Sequence, residues 1–293
     1  MTKMPSLKAG AALALCTALI QSLHGATVDP AVEASRRILT EHRDSVLWIS
    51  AVCKVNLSAS GDGAPTDIPE REQKVETLGT VLGTNGMLVT TLSTIDPSRE
   101  INGREVETES GGTVKLEASV VVKDVQILMP DGTEIPAELV LKDVDLDLAF
   151  IRAKASTKQL AGAVFKPVDL KDNAKAQIAE ETVSVSRMGE VFNREPDVTC
   201  GMVTSIISKP REFLFIASAD VGAPTFNLDG KLIGIGVVRD MGDKGAIPVV
   251  MPAADILELA EQAKNAKPIG QQTPENTAVK VKEKSAEKQT GQK

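Results

Sequence analysis

Hydrolytic or group-transfer chemistry near neutral pH needs a nucleophile, a base and a group that orients the base. This chain is poor in the usual base. It has two histidines in 293 residues, His24 and His42. His24 lies in the apolar amino-terminal stretch, and His42 reads as an exposed position on an early helix. The three cysteines are Cys16, Cys53 and Cys200. Beyond the amino terminus, two cysteines and one histidine are few ligands for a structural zinc site, and their spacing matches no common zinc pattern. Neither a metal nor a cofactor is expected. Hydroxyls are plentiful, but a serine or threonine acting alone needs an activating partner, such as a lysine of depressed pKa. Lys142, Lys209 and Lys231 are available, and no spacing singles one of them out.

The elements that would position such groups are mostly short strands. Residues 29–43 read as an amphipathic helix, with Pro30 in its first turn and Val32, Ile38 and Leu39 on its inward side. A strand follows over 45–55, then a polar surface loop over 58–73. Asn85-Gly86 marks a hairpin between two strands within 74–92. A charged loop covers 96–113, strands cover 114–129, and Pro130-Asp131-Gly132-Thr133 is a turn leading into EIPAELVLKD. Another strand covers 146–152. The second half reads as strands in VSVSRMG, GMVTSIIS, EFLFIAS, KLIGIGVV and GAIPVVMP, followed by a helix over 254–266. Short strands between glycine and proline turns indicate an all-β barrel or sandwich.

The ends differ in character. Lys3 and Lys8 precede an apolar run from Ala9 to Ile20, and small residues surround Gly25 and Ala26. This reads as a secretory signal peptide over 1–26 cleaved near Ala26, with an uncleaved anchor as the alternative. No other segment is apolar enough to span a bilayer. Export permits a disulfide between Cys53 and Cys200, and two separately buried thiols suit the sequence equally well. Residues 267–293 are polar and expected to be disordered. The net charge of −7 gives no reason to expect nucleic-acid binding.

Four segments in order carry a family resemblance: VLGTNGMLVTTLS, DGTEIPAELVLKDVDLDLAF, NLDGKLIGIGV and GAIPV. Together with Ala219-Asp220-Val221-Gly222-Ala223-Pro224, they resemble trypsin-like serine proteases of the HtrA type over about 29–266. The resemblance implies a double β-barrel over 27–266, with barrels at about 45–155 and 175–252 and a short helix at each end. No length remains for a carboxy-terminal PDZ domain. By the same resemblance Asp147 falls on the triad aspartate, Ser93 on the histidine and Val221 on the nucleophilic serine. Ala219 replaces the glycine whose N–H helps form the oxyanion hole, and Ala223 replaces another glycine. Asp220 sits in the same loop.

Serine is no base near neutral pH, and valine has no nucleophilic atom. The expected protein is therefore an inactive relative, secreted or periplasmic. It would bind peptide or protein segments as an added strand along Gly236, Val237 and Val238. A serine-type endopeptidase with a non-standard site and a purely structural protein are the alternatives.

Overall fold

The computed structural model describes residues 29–65, 68–108, 111–209, 211–217, 219–240 and 245–269. The expected signal peptide, Ser218 and nearly all of the polar tail lie outside the described residues. Helix α1 (Pro30–His42) starts where the Asp29 side chain accepts the Ala31 N–H at 2.9 Å, with Pro30 fixing the first turn. Its buried residues are Ala34, Ser35 and Ile38, and Val32 faces outward at 39% exposure, not inward as its hydrophobicity suggests. The helix packs against the second barrel, and small side chains allow that close approach.

The first barrel contains β1 (Val46–Gly61), β2 (Arg71–Gly83), β3 (Met87–Thr91), β5 (Thr113–Leu128), β6 (Glu134–Asp143) and β7 (Leu148–Ala153). They are ordered β1-β2-β3-β7-β6-β5, and β5 pairs back onto β1 to close the ring. A short strand, β4 (Glu105–Glu107), adds to the start of β5. Leu47, Ile49, Ala51 and Cys53 alternate along β1 and are buried with Val81, Leu88, Ile127 and Ile151. Residues 58–61, expected in a loop, instead continue β1, pairing with Glu117 to Val114 of β5. Val55, Leu57 and Ala59 alternate with Asn56, Ser58 and Ser60, a period of two that suits a ribbon leaving the barrel. Within 96–113, also expected as loop, lie β4 and the one-turn helix α3 (Ser98–Ile101), preceded by α2 (Leu92–Ile95).

The second barrel closes in the order β8-β9-β10-β13-β12-β11. Its strands are β8 (Glu181–Arg187), β9 (Pro196–Ile207), β10 (Phe213–Ile216), β11 (Pro224–Asn227), β12 (Leu232–Asp240) and β13 (Ala246–Pro252). The all-β double barrel expected from the sequence is thus the observed architecture. Helix α4 (Ala253–Asn265) buries Ala253, Ile256, Ala260 and Ala263 along one face. Arg152 of β7 donates to the carbonyls of Lys264 and Ala266, both at 3.2 Å, which ties the end of α4 to the first barrel. Among the described residues no helix is long and apolar enough to cross a membrane.

One apolar cluster runs between the barrels. It joins Val46, Leu78, Val89 and Phe150 of the first to Val185, Phe226, Ile235 and Val249 of the second. Arg187 crosses the same boundary. Its Nε donates to Val46 O at 2.6 Å, Nη2 to Arg43 O at 2.6 Å and Nη1 to Arg194 O at 3.0 Å. Its side chain is only 5% exposed, and Asp44 lies 3.6 Å away. Burial pushes this guanidinium below its ordinary value, which the Asp44 charge opposes.

The candidate disulfide does not form. Cys53 is a buried thiol in the first barrel that donates to Ile95 O at 3.1 Å. Cys200 is an exposed free thiol in the second barrel, 3.0 Å from Ser35 Oγ. Burial pushes the Cys53 thiol up to about 11, and the Asp96 charge adds to this. His42 is also not the exposed residue expected. It stacks on Phe226 with centroids 4.3 Å apart, and burial lowers its pKa.

Two outcomes follow. Arg187→Met leaves three carbonyls without their donor, and urea unfolding should show a loss of about 3 kcal/mol. Under native conditions a thiol reagent should modify Cys200 and spare Cys53 until denaturant is added, as read by peptide mass spectrometry.

Candidate functional site

Asp147 lies at the end of the turn between β6 and β7. Asp143 shapes this turn by accepting the Leu146 N–H at 2.8 Å. Asp147 itself takes a positive φ of 57° and is 6% exposed. Its carbonyl accepts the Leu92 N–H at 3.0 Å, which anchors it to the start of α2.

The Asp147 carboxylate accepts four donors. Oδ1 receives the Ser93 N–H at 2.7 Å. Oδ2 receives the Val238 N–H at 2.9 Å, the Ser93 hydroxyl at 3.2 Å and the buried Thr91 hydroxyl. The structure therefore brings Ser93 and Asp147 together and puts no imidazole between them. His42, the one histidine among the described residues, sits at the end of α1 against Phe226.

The loop that carries Val221 docks on β12. The Gly222 N–H donates to Gly236 O at 2.8 Å, and the Gly236 N–H donates to Ala223 O at 2.9 Å. Thr80 of β2 donates its hydroxyl to Gly222 O at 2.8 Å. Gly222 has φ +81°, and a Cβ there would sit 2.0 Å from Leu78 O. A Cβ on Gly236 would sit 2.0 Å from Asp220 O. Both positions require glycine because two backbones meet there. Val221 is half-buried and forms a parallel bridge with Gly236.

An oxyanion hole needs free, convergent N–H groups. The Ala219 N–H instead donates to Ile216 O at 3.3 Å, and the Ala223 N–H donates to Asp220 O at 3.2 Å. Val221 brings only an apolar, methyl-bearing side chain to this loop.

The 236–238 edge is partly occupied by the chain itself. Both backbone groups of Gly236 pair with the 222–223 loop, and the Val238 N–H pairs with Asp147. Val237 is buried. Strand alternation directs the Val238 carbonyl to the same outward side as its N–H. Beside it lies a cavity of about 90 Å³ lined in part by Ser93, Asp147, Val144, Val238, Arg99 and Arg239. Larger cavities of about 470 Å³ and 400 Å³ lie elsewhere, beside Val120–Val125 and between Met87 and Leu257, and neither is lined by Ser93, Asp147, Val221 or residues 236–238.

Sequence reasoning did not single out Thr91 or Arg239. Thr91 is one hydroxyl in a buried strand, and nothing in its type separates a carboxylate donor from a packing residue. Arg239 follows Val238 directly, so its neighbourhood was marked even though the residue was not. Lys142 is paired with Asp96 at 3.2 Å and Lys231 with Asp172 at 3.7 Å.

Comparison with known proteins places this geometry. The chain is 27% identical over 147 residues to a probable periplasmic serine endoprotease, DegP-like, of Bartonella henselae. It is 31% identical over 139 residues to a protein of the same description in Rhizobium meliloti. These alignments cover 46% and 44% of the chain but only 27% and 26% of the two relatives, so the chain spans about a quarter of their length. Among solved structures it is similar to the apo MamO protease domain of Magnetospirillum magneticum, at 17% identity and a TM-score of 0.44. That similarity covers 75% of this chain and 97% of the other. The profile of the trypsin-like peptidase domain matches residues 77–235, more than half of the chain, from β2 through the Val221 loop into β12, and the chain belongs to that family.

Proposed function

We propose that this protein is a peptidase-fold protein that does not hydrolyse peptides and instead binds peptide or protein segments in an exported compartment. One observation carries the reading. The carboxylate that would orient a catalytic imidazole is bound to Ser93, Thr91 and the Val238 backbone. A triad aspartate holds the tautomer and orientation of the base and stabilises its cation. Here there is no base to hold, and the carboxylate joins three segments of backbone. Val221 supplies no nucleophile, and the Ala219 N–H is used within its own turn.

Binding is the function that this arrangement leaves intact. A cleft with an outward strand edge accepts an extended segment through main-chain hydrogen bonds. The Val238 carbonyl is an outward acceptor on this edge, and the half-buried Val221 makes the middle of the cleft apolar. The DegP-like relatives are described as periplasmic, which agrees with the amino-terminal reading and supports export.

A serine-type peptidase with a non-standard site has one observation in its favour, the hydrogen bond from Ser93 Oγ to Asp147 Oδ2. The carboxylate that would take the Ser93 proton already accepts three other hydrogen bonds.

Incubation of the purified protein with an unfolded protein substrate should give no cleavage products by mass spectrometry, and a fluorophosphonate probe should leave Ser93 unlabelled. Products made by the parent and lost in both Ser93→Ala and Asp147→Asn would overturn the reading. Asp147→Ala should instead cost about 3 kcal/mol in urea unfolding, because it strands buried N–H and O–H donors.

A further inference from the structure

The first barrel leaves a strand edge open on β5. β1 and β5 run on past the barrel as a two-stranded ribbon, paired as far as Gly61 and Val114. On its outer side β5 pairs with β6 from Val125 to Leu128 and with β4 from Thr113 to Lys115. Among the described residues no strand pairs with β5 on that side between these two stretches.

The parity of the ladder shows which groups are left over. Leu116 bonds to the segment before β4: its N–H donates to Arg104 O and its carbonyl accepts the Gly103 N–H, both at 2.9 Å. The Ala118 N–H donates to Asn102 Oδ1 at 2.5 Å. Successive residues of a strand direct these groups to alternate sides. The Ala118 carbonyl and both backbone groups of Val120 and Val122 therefore point away from β1, where no strand meets them.

A cavity of about 470 Å³ lies along this edge, past the last β5–β6 pair of Val125 and Ala137. Val120, Val122 and Leu139 line it and pack against the barrel core, while Val121 is 52% exposed. Most of the charges on its lining are already matched. Asp96 meets Lys142 and Glu138 meets Arg152, each at 3.2 Å, and Lys123 is paired with Glu72. Lys154 is the remaining charge. The cavity thus offers apolar side chains and unpaired main-chain groups, which are what an added strand uses.

The chain itself arrives there. Pro268 and Ile269 line the same cavity, and Arg152 holds the exit from α4 through the carbonyls of Lys264 and Ala266. Residues 270–293 follow. Val279 and Val281 are their only branched apolar side chains, and they alternate in Thr277-Ala278-Val279-Lys280-Val281. β-branched residues at a period of two suit a strand with one apolar face. Residues 270–276 span about 23–25 Å when extended, and the open edge over 118–122 is only about 13–17 Å long. The polar tail cannot bury enough surface to fold alone, but a preformed edge supplies the missing partners.

We propose that residues 277–281 of this chain add as a strand to the β5 edge between β4 and β6, with Val279 and Val281 on the face of Val120 and Val122. This assignment is independent of the cleft between the barrels. It gives the tail a definite task, since an open edge beside apolar side chains is a template for pairing with other chains.

The test is amide hydrogen exchange resolved to single residues by NMR, on the full chain, a truncation ending at Ile269, and a full-length Val279→Pro/Val281→Pro double variant. The prolines remove two donors from the tail and leave both barrels unchanged. The Val120 and Val122 amides should exchange about tenfold or more slowly in the full chain than in either variant. The amides of Leu88 and Ile151, in the β3–β7 pair, should exchange alike in all three and so report an intact barrel. Equal exchange of Val120 and Val122 in all three proteins would overturn the proposal. So would tail-dependent protection found instead at Leu57 and Ala59, on the outer edge of β1. Protection that falls on dilution, with a dimer seen by light scattering, would overturn the assignment to the same chain and give the edge to the tail of a second copy.

Discussion

The Asp147 carboxylate is the point at which the two barrels and the turn before β7 are fastened together. Its four donors come from the end of β3, the first turn of α2 and β12. Three of these groups lie in the first barrel and one, the Val238 N–H, in the second. The residue adopts a left-handed backbone with φ 57°, which costs a non-glycine residue about 1 kcal/mol or more. The Leu92 N–H on its carbonyl and the donors on its carboxylate offset that cost. A buried carboxylate with fewer donors would be far less tolerable. Conversely, each of these donors would be stranded without it. The constraint is mutual, and it gives this aspartate a structural role that needs no imidazole.

The same economy of partners shapes the other side of the cleft. Gly222 donates to the Gly236 carbonyl and Gly236 donates to the Ala223 carbonyl across a gap that admits no Cβ. This contact holds the Val221 loop against β12, and it removes Gly236 from the edge available to a ligand. Asp147 removes the Val238 N–H. That leaves the Val238 carbonyl on the outward side of this edge. The loop docking and the carboxylate network therefore set which backbone groups of 236–238 the chain itself takes up.

The fold was legible where local chemistry forces it. Asn85-Gly86 lies between β2 and β3, Pro130 to Thr133 lies between β5 and β6, and the alternating strands lie in their expected order. The chain segments were misjudged where tertiary pairing overrides polarity. Residues 58–61 look like loop because Ser58, Ser60 and Gly61 are polar or small, but β5 supplies them with a partner strand. The strand β11 is short and begins with a proline, so its pattern was too brief to read. His42 looks exposed at the polar end of a helix until Phe226 arrives from a residue far away in sequence. The cysteines illustrate the same limit, since composition cannot say that one faces Ile95 and the other Ser35. In the site, the resemblance placed Ser93 near Asp147. It could not show that Thr91 and a backbone N–H complete the carboxylate's shell, because hydrogen-bond saturation is a property of the packed structure.

The two arginines show how unevenly the fold satisfies buried cations. Arg187 and Arg239 are both partly removed from water, and burial lowers the pKa of each. Arg187 spans the barrel boundary with every nitrogen occupied, so its charge is absorbed by carbonyl dipoles that have no other donor. Arg239 has an aromatic face beneath it, and its Nε and Nη2 are buried without a hydrogen-bond partner. If stability alone had set this position, an apolar side chain over Phe213 would serve without a desolvated charge. The contact of the Arg239 guanidinium with the Phe213 ring offsets part of that cost.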